Sequence, residues 1–208
     1  MRYASIRSMD ITNGENIGVS LFVQGCPFQC YNCFNSTAWD FNGGKEWNND
    51  TKKHFLDLID KPYIKRISIL GGEPLASSNL DGILELLQEI RTEYPASPNL
   101  TPEIHCKMGN FSSQNFDQIR ISYPTKTIWL YTGYTLEDCI LKPDEIVDDH
   151  NYDRFQRYTA IKMVDVLIDG PYVDAQRDVT AKWRGSTNQR VINIPETLKQ
   201  QKVVLYCD

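Results

Sequence analysis

Histidine is scarce in this chain of 208 residues: there are three, His54, His105 and His150, and they are scattered. They form no pair at ligand spacing, so a histidine-based metal site has little to build on. Positive charge is short as well. Lys and Arg number 22 against 27 Asp and Glu, a formal net charge of −5, and the bases are dispersed rather than massed. That argues against a nucleic-acid surface, so no nucleic-acid partner is expected. No apolar run is long enough to cross a membrane, and residues 1–5 lead into no apolar signal segment. The expectation is a cytoplasmic protein with no membrane partner. Internal repeats and low-complexity segments are missing too. What remains is the composition of a globular protein, 41% hydrophobic and 24% charged. Its length suits one domain over 1–208 whose core needs no staples. Six cysteines in a reducing compartment then read as metal ligands or free thiols rather than as a disulfide framework.

Three of those six stand together in Gly25-Cys26-Pro27-Phe28-Gln29-Cys30-Tyr31-Asn32-Cys33-Phe34-Asn35, spaced C-x3-C-x2-C. Gly25 and Pro27 force a loop directly after the apolar run 19–23. Soft thiolates gathered in one short loop suit an iron–sulfur cluster. A cubane has four irons and this loop offers three ligands; if no fourth ligand arrives, one iron keeps an open coordination position, which is where chemistry happens. Two other readings stand beside it. Positions i, i+4 and i+7 share a helix face, and buried free cysteine behaves as a small hydrophobe; Gly25, Pro27, Gln29 and Asn32 speak against that. A structural zinc site needs four ligands. Cys106, Cys139 and Cys207 form no second pair, but His105-Cys106 folding back would supply a fourth.

Elsewhere the chain alternates apolar runs with polar, glycine-bearing loops. Residues 5–12 suit a short strand, Asn13-Gly14 a turn, and 19–23 a buried strand with the cysteine loop at its end. Thr51 is a plausible cap for a helix carrying Phe55, Leu56 and Ile59 inward. Strand 65–70 runs into Gly71-Gly72-Glu73-Pro74, and Leu80, Ile83, Leu84, Leu87 and Ile90 then predict an amphipathic helix over 79–94. Residues 95–125, with Pro95, Pro98, Pro102 and Pro124, read as an insertion with fragmentary structure. Strand 127–131 ends at Thr132-Gly133, a helix starts near Thr135, and the charged stretch through Arg157 carries no clear element. Strand 164–168 ends at Asp169-Gly170, and a further strand is suggested at 191–194. Strand, loop, helix in repetition predicts an α/β fold with mostly parallel strands and right-handed crossovers. In such folds the loops at the carboxyl ends of the strands converge on one rim, where ligands bind. The cysteine loop, Gly71-Gly72-Glu73, Thr132 and Asp169 would therefore share a mouth.

Cys26–Cys33 followed by Gly71-Gly72-Glu73-Pro74 at the next strand end resembles the radical S-adenosylmethionine (SAM) enzymes. More narrowly, Val23-Gln24-Gly25-Cys26-Pro27, Trp129-Leu130-Tyr131-Thr132-Gly133-Tyr134, Asp165-Val166-Leu167-Ile168-Asp169-Gly170 and Arg184-Gly185-Ser186-Thr187-Asn188-Gln189-Arg190 resemble the glycyl-radical activases of anaerobic ribonucleoside-triphosphate reductase. The resemblance covers most of the chain outside 95–125. It implies a partial, incomplete TIM-like (βα) barrel with a radical SAM core. It implies a 4Fe–4S cluster on Cys26, Cys30 and Cys33 with SAM on the open iron, whose cleavage yields a radical that takes a hydrogen atom from a glycine of the reductase large subunit. An electron donor such as flavodoxin or ferredoxin is implied as a second partner. By the same resemblance Gly71, Gly72 and Glu73 would hold the SAM amino group, and Asn32, Cys33 and Phe34 the adenine side through backbone contacts; by position, Thr132 and Asp169 are candidates for the ribose or methionine portion. No protein acid or base would be essential. An activase of another glycyl-radical enzyme, of the pyruvate formate-lyase type, or a non-catalytic iron–sulfur or zinc module are the alternatives. One departure stands out: Gly14-Glu15-Asn16-Ile17-Gly18 has neither the proline nor the basic residue that this family usually carries there.

Overall fold

The apolar runs do form strands, and they form one sheet. In the computed structural model of the chain, residues 1–95, 126–140 and 151–207 are described. The strands are β1 (Arg2–Asp10), β2 (Gly18–Val23), β3 (Lys45–Glu46), β4 (Arg66–Gly71), β5 (Thr127–Tyr131), β6 (Val166–Asp169) and β7 (Arg190–Asn193). Their order in the sheet is β3-β1-β2-β4-β5-β6-β7. The four central strands β2, β4, β5 and β6 are parallel. β1 and β3 on one side, and β7 on the other, are antiparallel to their neighbours. The mixed α/β class with a mostly parallel centre is therefore what the sequence predicted. β1 is displaced from the expected 5–12, beginning at Arg2 and ending at Asp10.

The helices are α1 (Asn49–Ile59), α2 (Ser77–Glu93), α3 (Leu136–Cys139), α4 (Tyr152–Lys162) and α5 (Ile194–Gln200). Asn48, not Thr51, caps α1: its side-chain oxygen accepts the Thr51 N–H at 2.9 Å, so Thr51 supplies the amide that is capped. Thr135 does cap α3, in a reciprocal box with Asp138. The sequence reading passed over α4 because its inward side is thin. Gln156, Ala160 and Ile161 are its buried residues, too little apolar surface to show as a stripe. The expected insertion lies, apart from Pro95, outside the described residues, as do His105, Cys106 and His150.

The two faces of the sheet are covered differently. Val19, Leu21, Val23, Ile67, Ile69, Ile128, Leu130, Leu167 and Ile192 pack in one core with Phe55, Leu80, Ile83, Leu87, Ile90 and Ile161 from the helices. On the opposite face Trp129, Val166, Ile168 and Val191 pack with Tyr131, Trp183 and Tyr206. Trp129 meets Trp183 and Tyr206 edge-on at 4.9 and 5.3 Å between ring centres, contacts worth about 0.5–1.5 kcal/mol each beyond their buried area. Strands buried on both faces read as continuous apolar runs rather than as alternation.

The amino ends of the parallel strands are closed by a polar plug. Arg66, fully buried at the start of β4, donates to the carbonyls of Asp10 (2.8 Å), Glu15 and Asn16 (both 3.1 Å). Its guanidinium lies 3.4 Å from the Asp10 carboxylate. Burial alone would raise the Asp10 carboxyl, but the Ser20 hydroxyl, the Asn13 amide and the backbone N–H groups of Thr12 and Asn13 outweigh it and hold Asp10 well below the usual carboxylate range. The loop 11–17 carries no base of its own; the guanidinium that organises it comes from β4.

Candidate iron–sulfur site at the strand ends

The cysteine loop leaves the carboxyl end of β2, opposite that plug. Gln24 is buried and its amide donates to the carbonyls of Thr37 (3.2 Å) and Asp40 (2.8 Å), so the loop's exit is tied to its entry. Gly25 N–H and Cys26 N–H donate to the Ala38 and Trp39 carbonyls at 2.8 and 3.1 Å. Gly25 has φ +90°, and a β-carbon there would strike the Phe41 ring, so glycine is required. Gln29 and Asn32 are also left-handed, with φ 45° and 55°. The three cysteines thus lie on turns; the shared helix face considered from spacing does not form.

Cys26, Cys30 and Cys33 are free, half-buried thiols. All three line one recess of about 140 Å³ together with Gly71, Gly72, Glu73 and Thr132. Burial raises the Cys26 and Cys30 thiols above their ordinary values, opposed by backbone N–H groups of Phe28 and Gln29 on Cys26 and of Tyr172 on Cys30. N–H groups directed at sulfur are what a cluster-bound thiolate needs around it. Three soft donors facing one recess fit an iron–sulfur cluster. Among the described residues no three His, Cys, Asp or Glu side chains converge on one ion; ligands to different irons of a cluster have no need to. Cys139 is buried in α3, its thiol pushed up to about 12 by burial, and Cys207 packs beside Trp129 on the other face. His54 is exposed on α1.

The glycine pair packs against the cysteine loop itself. Gly72 N–H donates to the Val23 carbonyl at 2.9 Å, and Glu73 N–H to the Gly25 carbonyl at 2.7 Å. A β-carbon on Gly72 would collide with that same Gly25 carbonyl. Glycine at 72 is thus demanded by the protein's own backbone, before any ligand is considered. The Glu73 side chain turns inward and is 1% exposed. One oxygen accepts from Leu75 N–H and the Thr132 hydroxyl, both at 2.8 Å; the other accepts from Gly133 N–H at 2.7 Å. Burial pushes its carboxyl up to about 7, against those three hydrogen bonds. Glu73 and Thr132 therefore staple the ends of β4 and β5 to each other. Asn79 reinforces them from α2, donating to the carbonyls of Gln24 and Glu73, both at 3.0 Å.

A scan of families matches the 4Fe–4S single cluster domain over residues 12–103 and 108–192. Relatives match over more than nine tenths of the chain. The anaerobic ribonucleoside-triphosphate reductase-activating protein of Escherichia coli (strain K12) is 30% identical over 92% of this chain and 97% of its own. Its namesake from Vibrio cholerae is 29% identical over 91% and 96%, and that of Enterobacteria phage T4 is 28% identical over 92% and 93%. The chain belongs to this family of activating proteins. The match to a 4Fe–4S domain includes all three loop cysteines, so an iron–sulfur cluster is the group this recess suits.

The remaining positions predicted for the site divide in two. Asn32, Cys33 and Phe34 line a second, larger cleft of about 550 Å³ that opens beside the recess. Asn32 donates from its side chain to Asp174 at 3.1 Å, and Phe34 is 95% exposed. Asp169 lines neither cleft. It is 1% exposed, accepts the first N–H of α3 from Leu136 at 2.8 Å, and is clasped by Arg190, whose fork also holds Glu137 at 2.9 and 2.6 Å. In this chain the Arg184–Arg190 run is a self-tied loop. The Gln189 side chain accepts from Gly185 N–H at 2.9 Å and donates to the Gly170 carbonyl at 3.0 Å, seating the loop beside β6. Sequence reasoning missed Gln24, Asn79, Tyr131 and Gln189. Tyr131 was absorbed into an apolar strand, and the three amides give no periodic signal.

Proposed function

We propose that this chain is a radical SAM activase that holds a 4Fe–4S cluster on Cys26, Cys30 and Cys33 and generates a glycyl radical on the large subunit of an anaerobic ribonucleoside-triphosphate reductase. The observation that carries the reading is the count and setting of the thiols. Among the described residues, three cysteines line a recess that continues into a 550 Å³ cleft, the size of a small-molecule site. Cys26, Cys30 and Cys33 would hold the cluster there, and with three protein ligands it would leave one iron free to bind a ligand. When bound, the reduced cluster supplies one electron to the sulfonium of SAM, releasing methionine and a 5′-deoxyadenosyl radical that takes a hydrogen atom from the partner's glycine.

The chain's own part is placement and exclusion. The segment 71–73 would meet the SAM amino group through main-chain oxygens, since both side-chain oxygens of Glu73 are already engaged. Thr132 would hold Glu73 from the wall of the recess, and Asp169 would act from behind the site by holding α3. The backbone of 32–34 would flank the adenine. The parallel strands with α1, α2 and α4 on one face would form the core of an incomplete (βα) barrel, its inner face carrying the large cleft. A cytoplasmic flavodoxin or ferredoxin would deliver the electron. The test is to mix the cluster-loaded protein with the reductase, SAM and a strong reductant without oxygen. A doublet radical signal on the reductase glycine is the expected result; brisk SAM cleavage with no such signal would remove the activase assignment.

A further inference from the structure

The turn between Cys26 and Cys30 leans on a column of side chains, none of which is itself a thiol. Phe28 lies inside that turn and lines the recess. Its ring rests on the backbone of Gly133, where any β-carbon would strike it. The same ring meets that of Tyr134 edge-on, with 4.9 Å between centres and 72° between planes. Tyr134 is covered in turn by the Arg157 guanidinium, whose central carbon is 4.2 Å from the ring centre. Arg157 stands on α4, and its Nε donates to the Leu75 carbonyl at 2.9 Å. The column therefore links the cysteine loop, the loop after β5, the loop after β4 and α4.

The turn has reason to need such a hold. Gln29, next to Phe28, is left-handed at φ 45°, a conformation that a residue other than glycine keeps only when its surroundings impose it. The backbone N–H groups of Phe28 and Gln29 are also the ones directed at the Cys26 sulfur. Where the Phe28 ring is pinned thus decides where those two donors point. Edge-on aromatic contacts and a guanidinium over a ring are directional, as plain apolar packing is not. Both contacts of Tyr134 use its ring, and neither uses its hydroxyl.

We propose that Tyr134 is a positioning residue for the iron–sulfur cluster: backed by Arg157, its ring fixes Phe28 and so sets the Cys26–Cys30 turn for binding iron. This rests on the three-cysteine cluster site and not on the SAM chemistry. The test uses the reconstituted protein without oxygen, SAM or reductase, and reads iron release to a chelator. Tyr134→Leu keeps apolar bulk but loses the ring, and should release iron about tenfold faster than wild type, roughly the worth of the two ring contacts. Tyr134→Phe keeps the ring and should stay within about twofold of wild type. Phe28→Leu should release iron as fast as Tyr134→Leu, and the double variant little faster than either, because both changes remove one shared contact. The electron paramagnetic resonance spectrum of the reduced cluster should shift in Tyr134→Leu and return in Tyr134→Phe, since the donors at Cys26 are redirected and then restored. A ring that served only the fold would lower the unfolding midpoint and leave release rate and spectrum unchanged; that result in Tyr134→Leu would overturn the proposal. Fast release in Tyr134→Phe would overturn it too, by tracing the effect to the hydroxyl. If Tyr134→Leu does not fold, Phe28→Leu decides by the same two measurements. If the wild-type chain takes up no iron, the cluster site itself falls, and the column's role with it.

Discussion

Arg190→Ala should cost this protein stability, and the geometry says how much. The Arg190 guanidinium forks between Asp169, whose side chain is 1% exposed, and Glu137, whose side chain is 57% exposed. Removing the arginine strands a buried carboxylate, an event that costs about 3–5 kcal/mol when both partners are fully buried. Arg190 is about a third exposed, and the Glu137 arm, lying mostly in water, adds less than about 1 kcal/mol. Asp169 also keeps its hydrogen bond from Leu136 N–H. The discounted loss is about 2–3 kcal/mol, or roughly 4–12 °C in melting temperature for a chain of this size. Urea unfolding of the cluster-free protein under reducing conditions should show a lower midpoint with an unchanged slope. Adding Asp169→Asn to the same variant removes the stranded charge and should restore at least half of the loss. Arg190→Lys should recover less than that, because a point charge cannot fork to two carboxylates. An Arg190→Ala protein within about 0.5 kcal/mol of wild type would refute the clasp and leave Arg190 free for a role at the partner surface.

The other expectations can be checked with simple variants. Burial raises the Glu73 carboxyl from 4.5 to about 7; a raised acid favours its protonated form, so the contribution of this group to stability is greatest below about pH 4.5 and declines by about 3 kcal/mol as pH rises to about 7. Glu73→Gln should flatten that decline, and parallel pH curves for the two proteins would sink the account. Replacing any one of Cys26, Cys30 or Cys33 by Ala should abolish iron binding and the brown colour, while Cys139→Ala and Cys207→Ala should retain both; a requirement for Cys207 would contradict the three-thiol site. Gly72→Val should lower iron incorporation as well as SAM affinity, because the new side chain displaces the Gly25 carbonyl; full iron loading with SAM affinity alone reduced would mean that the glycine serves the ligand instead.

Some of this was legible in the residues and some was not. The runs 19–23, 127–131 and 164–168 announced strands because they are covered on both faces, and Leu80, Ile83, Leu87 and Ile90 announced α2 because only one of its sides is buried. α4 stayed hidden because a glutamine and an alanine make up most of its buried side. Thr51 drew the cap of α1 away from Asn48 because both are good cap residues and only backbone geometry separates them.

The chemistry of the site was set locally. Three cysteines within eight positions, broken by Gly25 and Pro27, put three thiols on one loop whatever the rest of the chain does. The roles of the polar residues at the strand ends were decided elsewhere. Asp169 meets Arg190 across 21 positions, Arg190 meets Glu137 across 53, Glu73 meets Thr132 across 59, and Asn32 meets Asp174 across 142. A carboxylate at the end of a strand looks the same in sequence whether it faces a ligand or a neighbouring strand's hydroxyl. Which it faces depends on strand order and register, and those follow from how the whole set of apolar faces is buried together, not from the few residues on either side.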